Sequence, residues 1–135
     1  GATIRTDRRA IPADGYFTGL YETALDAGEV ITAVTFPVPE KAAYLKFRQA
    51  ASRFAVVGVF VARTKSGVRV AVTGAGSHAF RATPLEAKLS AKFAPESCDG
   101  VVLPADGLNS DIHASAEYRA HLITVLARRA VTAAS

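Results

Sequence analysis

The run AVVGVFVA at residues 55–62 constrains this chain more than any other stretch, because eight small or apolar residues in a row offer water no polar face. Such a run predicts a buried strand, here over 54–63. Just before it, residues 44–48 alternate, with Tyr44, Lys46 and Arg48 on one face and Leu45 and Phe47 on the other. A bend of small residues over 49–52 joins the two, and Arg53 and Phe54 follow it directly. The bend therefore sets Arg48, Arg53 and Phe54 side by side. A flat, anionic or electron-rich ligand could rest on that ring and accept hydrogen bonds from the guanidinium groups. The same residues also fit a sheet corner whose charges face solvent.

At 135 residues the chain has room for one domain, or one domain with a piece of another. No apolar stretch approaches the roughly 20 residues of a bilayer span, and GATIRTDRR lacks a signal-peptide core. The expectation is a cytoplasmic protein with no membrane span. Cys98 is the single cysteine and has no ligand-spaced partner, and His78, His113 and His121 lack metal-binding spacing, so no metal site is expected. The net charge of +4 is spread over many segments without interleaved aromatics, which argues against nucleic acid and suits docking on acidic neighbours. GAGSHA at 74–79 fits a GxGxxA phosphate loop, but the next helix signal begins only at Thr83, too late to hold a pyrophosphate. Asp111, His113 and Ser115 lie too close in sequence to form a hydrolase triad, and Asp111 suits a turn or cap better. No catalytic residue can be named.

In chain order, 3–5 and 9–11 read as a short hairpin with little to pair it, and 12–28 as a loop with a helical turn near 16–20. Residues 29–36 form a strand ended by Pro37 and Pro39, and 37–41 a domain boundary. Strands over 44–48, 54–63 and 68–74, the last two joined by TKSG, predict a three-stranded antiparallel meander. TPLE at 83–86 has capping-box spacing and opens a helix with Leu85, Leu89 and Phe93 as its stripe, stopped by Pro95. Residues 96–110 read as a loop with at most a turn near 99–103. A long helix over 115–134 follows, capped by Ser115, with Leu122, Ile123, Leu126 and Ala130 inward and Arg128 and Arg129 near its C-terminal end. The fold class is α+β, a three-stranded antiparallel sheet packed against helices.

Three pieces, read together, resemble one family. PADGYFTGLYETALDAGEVITAVTFPVP, then AAYLKFRQAASRFAVVGVFVA with VRVAVTGAGSHAFRATPLEAKL, and DIHASAEYRAHLITVLARRAV are similar to the C-terminal part of the FAD-binding medium subunit of molybdenum hydroxylases, the flavoproteins of carbon monoxide and xanthine dehydrogenases. The resemblance implies that residues 1–37 are the tail of the central FAD-binding subdomain and residues 38–135 the C-terminal domain. It implies an oxidoreductase subunit that covers FAD and relays electrons from an iron–sulfur subunit, reduced by a molybdopterin subunit, to an external acceptor. Phe54 would lie against the isoalloxazine ring and Arg48 near its pyrimidine end, with Arg53 beside them. Such groups would tune the flavin without reacting. The glycine-rich loops with which the family holds the FAD pyrophosphate and adenosine do not occur here. The expected consequence is weak or absent FAD binding, no activity in this chain by itself, and self-association through uncovered apolar surface. The rival reading is a non-catalytic α+β module that organises partner subunits.

Overall fold

The computed structural model describes residues 1–134, and the chain divides into two compact units that meet at Val38 and Pro39. In the first unit, β1 (Thr3–Thr6) pairs antiparallel with β2 (Ala10–Pro12) on one side. It pairs with a later strand (Ile31–Thr35) on the other. The opening hairpin therefore does not lack a partner, contrary to expectation. Ile4 stands opposite both Ile11 and Val34, and Ile4, Ile11 and Tyr16 form a small buried cluster with Ala13, Ala24 and Leu25 against it.

Between these strands the helical turn falls at Ala13–Gly15, earlier than its expected place near 16–20. The hairpin β3 (Phe17–Gly19) and β4 (Glu22–Thr23) occupies that place instead. Tyr16 is buried and meets Phe17 edge-on, with ring centroids 5.0 Å apart, but Leu20 and Tyr21 at the hairpin tip stay exposed. The strand at Ile31–Thr35, β5, starts later than the sequence suggests because Glu29 has another task. Its carboxylate accepts from Arg9 Nε and Nη2, both at 2.9 Å, from Thr6 Oγ1 at 2.7 Å and from the Asp26 amide at 2.8 Å. Led by the Arg9 hydrogen bonds, these donors hold its pKa down at about 2.

The second unit carries the predicted meander. β6 (Lys41–Arg48), β7 (Ala55–Thr64) and β8 (Gly67–Thr73) pair in order, and a short β9 (Phe80–Arg81) adds a fourth strand. Val57, Val59 and Val61 of β7 and Val70 and Val72 of β8 have no exposure, and they bury against Leu85 and Leu89 of α1 (Thr83–Ala91) and Ile123 of α2 (Ala116–Ala134). Burial of each such side chain is worth about 1.5–3 kcal/mol, so this layer supplies most of the cohesion of the unit.

Because β9 is only two residues long, the rest of the β8 edge needs other partners, and α1 supplies them. The Val70 carbonyl accepts from the Ala82 amide at 2.9 Å, the Val70 amide donates to Glu86 at 2.9 Å, and the Val68 amide donates to Ser90 Oγ at 2.9 Å. The expected capping box consequently does not form. Ala82 is the N-cap, without a side-chain bond, and Glu86 is taken by Val70 and by Arg81, whose Nε donates to it at 3.0 Å.

Phe93 lies past the end of α1 and packs partly on the core, with the Arg63 guanidinium 5.7 Å above its ring. The turn expected near 99–103 occurs at Pro95–Cys98. Ser115 caps α2 as expected, its Oγ accepting from the Tyr118 amide at 3.2 Å. The last turn of α2 contains no basic residue. Arg128 instead pairs with Asp99 at 3.3 Å. Among the described residues no helix is long and apolar enough to cross a membrane.

Candidate functional site

The hairpin loop between β6 and β7 is tightly braced. Gln49 N–H donates to the Phe54 carbonyl at 2.9 Å, and Arg53 N–H donates to the Gln49 carbonyl at 2.9 Å. The Gln49 side-chain oxygen accepts from Ser52 N–H at 2.6 Å and from Ser52 Oγ at 3.1 Å, while Ser52 Oγ accepts from Phe54 N–H at 3.3 Å. Lys46 reaches along β6 to donate from Nζ to the Arg53 carbonyl at 3.0 Å. These bonds hold Arg53 at φ 61°, a left-handed conformation that costs a residue with a Cβ about 1–2 kcal/mol.

The braced loop brings the three expected residues together. Arg48 is opposite Ala55 at the end of the β6–β7 ladder, and Arg53 and Phe54 close the loop beside it. Phe54 is 78% exposed, and both arginines are exposed. Among the described residues neither Arg48 nor Arg53 has a carboxylate within ion-pair distance. A large aromatic surface and two unneutralised cations on a rigid turn suit a planar, negatively polarised ring, which would stack on Phe54 and accept from the guanidinium groups.

The GAGSHA loop is organised in the opposite sense from a phosphate cradle. The Gly74 and Gly76 carbonyls accept from Asn109 Nδ2, at 3.3 and 3.0 Å, and the helix that follows the loop begins only at Thr83. Gly74 is required by its φ of +75° and because a Cβ there would sit 2.2 Å from the Ala55 carbonyl oxygen. Among the described residues no cluster of three or more His, Cys, Asp or Glu side chains could hold a metal ion. Cys98 is buried, and desolvation raises its thiol pKa to about 11, so it is not a reactive thiolate.

Sequence reasoning missed the braces and also Arg119. Arg119 is 2% exposed and donates from Nη1 to the Val56 carbonyl at 2.6 Å and to the Gly74 carbonyl at 3.2 Å. Its Nη2 donates to Asp111 at 2.7 Å. Asp111 also accepts from the His113 and Ala114 amides, the turn role the sequence suggested, and these bonds with Arg119 lower its pKa. The Gln49–Ser52 spacing was a visible turn signal, whereas nothing in YRAH separates a buried arginine from a surface one.

No protein-family model matches the chain. It is 36% identical over 137 residues to the nicotine 6-hydroxylase medium subunit of Paenarthrobacter nicotinovorans, covering 94% of this chain and 48% of that protein. It is 31% identical over 135 residues to the carbon monoxide dehydrogenase medium chain of Afipia carboxidovorans, covering 91% and 47%. Among solved structures, a chain of the reconstituted CO dehydrogenase from Oligotropha carboxidovorans superposes with a TM-score of 0.80 at 25% identity, over 99% of this chain and 52% of that one. A chain of quinoline 2-oxidoreductase from Pseudomonas putida 86 shares the fold, with a TM-score of 0.77 at 24% identity over 99% and 52%. The chain is thus a homologue of the medium subunits of carbon monoxide dehydrogenase and nicotine 6-hydroxylase, and it spans about half the length of those relatives.

Proposed function

We propose that the chain is the C-terminal part of an FAD-binding medium subunit of a molybdenum hydroxylase. Residues 1–37 would end the central FAD-binding subdomain and residues 38–135 would form the C-terminal domain. When bound, the flavin supplies the capacity to pass electrons from an iron–sulfur subunit, fed by a molybdopterin subunit, to an external acceptor. Phe54 covers one face of the ring and excludes water from it, while Arg48 and Arg53 offer N–H donors to its electron-rich edge. These groups bind and orient.

The observation that carries this reading is the pairing of a 78% exposed Phe54 with unneutralised arginines on a braced turn, in a homologue of medium subunits. Single exposed apolar side chains are ordinary, and Tyr21, Phe36 and Ile112 are others; what marks Phe54 is its place on a braced turn beside two cations that have no carboxylate partner among the described residues. The phosphate and adenosine contacts lie outside these residues, so FAD should bind the 135-residue chain more weakly than about 1 μM. Titration followed by flavin fluorescence reads this directly. Submicromolar binding would overturn the division of the site between this chain and other polypeptide.

A further inference from the structure

We propose that Arg119 is the positioning residue of the Phe54 turn, fixing the direction in which the chain leaves the sheet by holding the one carbonyl that both neighbouring ladders abandon. The β6–β7 register passes from Phe47 opposite Val57 to Arg48 opposite Ala55, so a bulge leaves Val56 without a partner on β6. The β7–β8 ladder ends at Gly58 opposite Thr73, so β8 does not reach Val56 either. A buried carbonyl in that place needs a donor, and Arg119 Nη1 provides it at 2.6 Å. The same nitrogen takes the Gly74 carbonyl, and Nη2 is fixed by Asp111, whose other oxygen is held by two loop amides. Three separate segments therefore converge on one guanidinium, two residues from Phe54.

Burial of a guanidinium is costly, and Nε is buried with no hydrogen-bond partner among the described residues, which adds to that cost. An apolar side chain would avoid both costs but would leave the Val56 carbonyl unheld. What the arginine adds over such a side chain is a fixed donor at the Val56 carbonyl. The functional consequence rests on the flavin reading above, because the position of Phe54 matters only if its ring meets a ligand.

The test uses the 135-residue chain with 4-fluorophenylalanine placed at position 54, and a second sample labelled at position 60 within β7 as the control. Fluorine NMR and amide exchange are recorded for wild type, Arg119→Lys and Asp111→Asn. Asp111→Asn keeps an oxygen for the His113 and Ala114 amides and turns an amide nitrogen toward Arg119 Nη2, which removes both the charge and the acceptor there. The expected result is a broadened or multiplied resonance at position 54, an unchanged one at position 60, and about tenfold faster exchange over residues 53–57 in both variants. Resonances and exchange within twofold of wild type in folded Asp111→Asn would overturn the proposal. Loss of the fold in Asp111→Asn would overturn it as well, since the pair would then hold the sheet and not the turn. If the turn loosens as expected while flavin binding ignores Phe54, the flavin reading fails and this one stands.

Discussion

The two units keep themselves folded by different means. The second buries a continuous valine and leucine layer between one sheet and two helices, and its buried charges, Glu86 and Arg119, bond backbone at the edge of β8 and the start of β7. Among the described residues the first has a small apolar cluster of Ile4, Ile11 and Tyr16, and a buried carboxylate, Glu29, gathers its loops through Arg9, Thr6 and the Asp26 amide. An apolar layer tolerates changes of pH and salt and fails when a void is cut into it. A charged hub does the reverse.

The largest effect should follow a void in the second unit. Leu89→Ala, at a site with no exposure, is expected to cost about 2–5 kcal/mol in denaturant unfolding, whereas a loss below about 1 kcal/mol would show that the layer is not close-packed. Gly74→Ala comes next. Its Cβ meets backbone at Ala55, so the loss should exceed about 1 kcal/mol. At Gly58 the obstacles are the hydroxyls of Tyr44 and Thr73, side-chain atoms and not backbone, and Gly58→Ala should cost less.

Acid should separate the units. Glu29 has a folded-state pKa of about 2, below its ordinary value of 4.5, so its contribution is complete above the unfolded value and is lost as pH falls through the folded one. Between those limits, amide protection in residues 3–12 and 24–35 should fall while the Val57 to Val61 amides hold. Simultaneous loss would contradict the comparison. The smallest effect is a gain. Arg53→Gly relieves the left-handed φ and should raise stability by up to about 1 kcal/mol in thermal unfolding, provided the hydrogen bonds of the turn survive.

The same contrast explains what could be read in advance. The meander and α2 were legible because the alternation at 44–48, the unbroken apolar run at 55–62 and the stripe at Leu122, Ile123, Leu126 and Ala130 report burial directly. The first unit was less legible because β1 finds β5 across a long separation, and Glu29 reads as a strand residue until its partners are known. Local signals also misled where tertiary demand outbid them: Glu86 had capping-box spacing, yet the open β8 edge at Val70 and Arg81 claimed it. At the candidate site the residues were visible but their support was not. Arg53 is left-handed without being glycine, and Arg119 lies buried in a segment whose composition suggests a surface.

The central claim is that the β6–β7 turn presents a ring and cations to flavin. Its most direct test is FAD affinity in a complete medium subunit carrying these residues, compared with the same subunit bearing Arg48→Ala and Phe54→Ala. The account predicts at least about tenfold weaker binding, or about 1.4 kcal/mol, with the fold intact. Equal affinity and an unchanged flavin spectrum would contradict it and favour a module that only organises subunits.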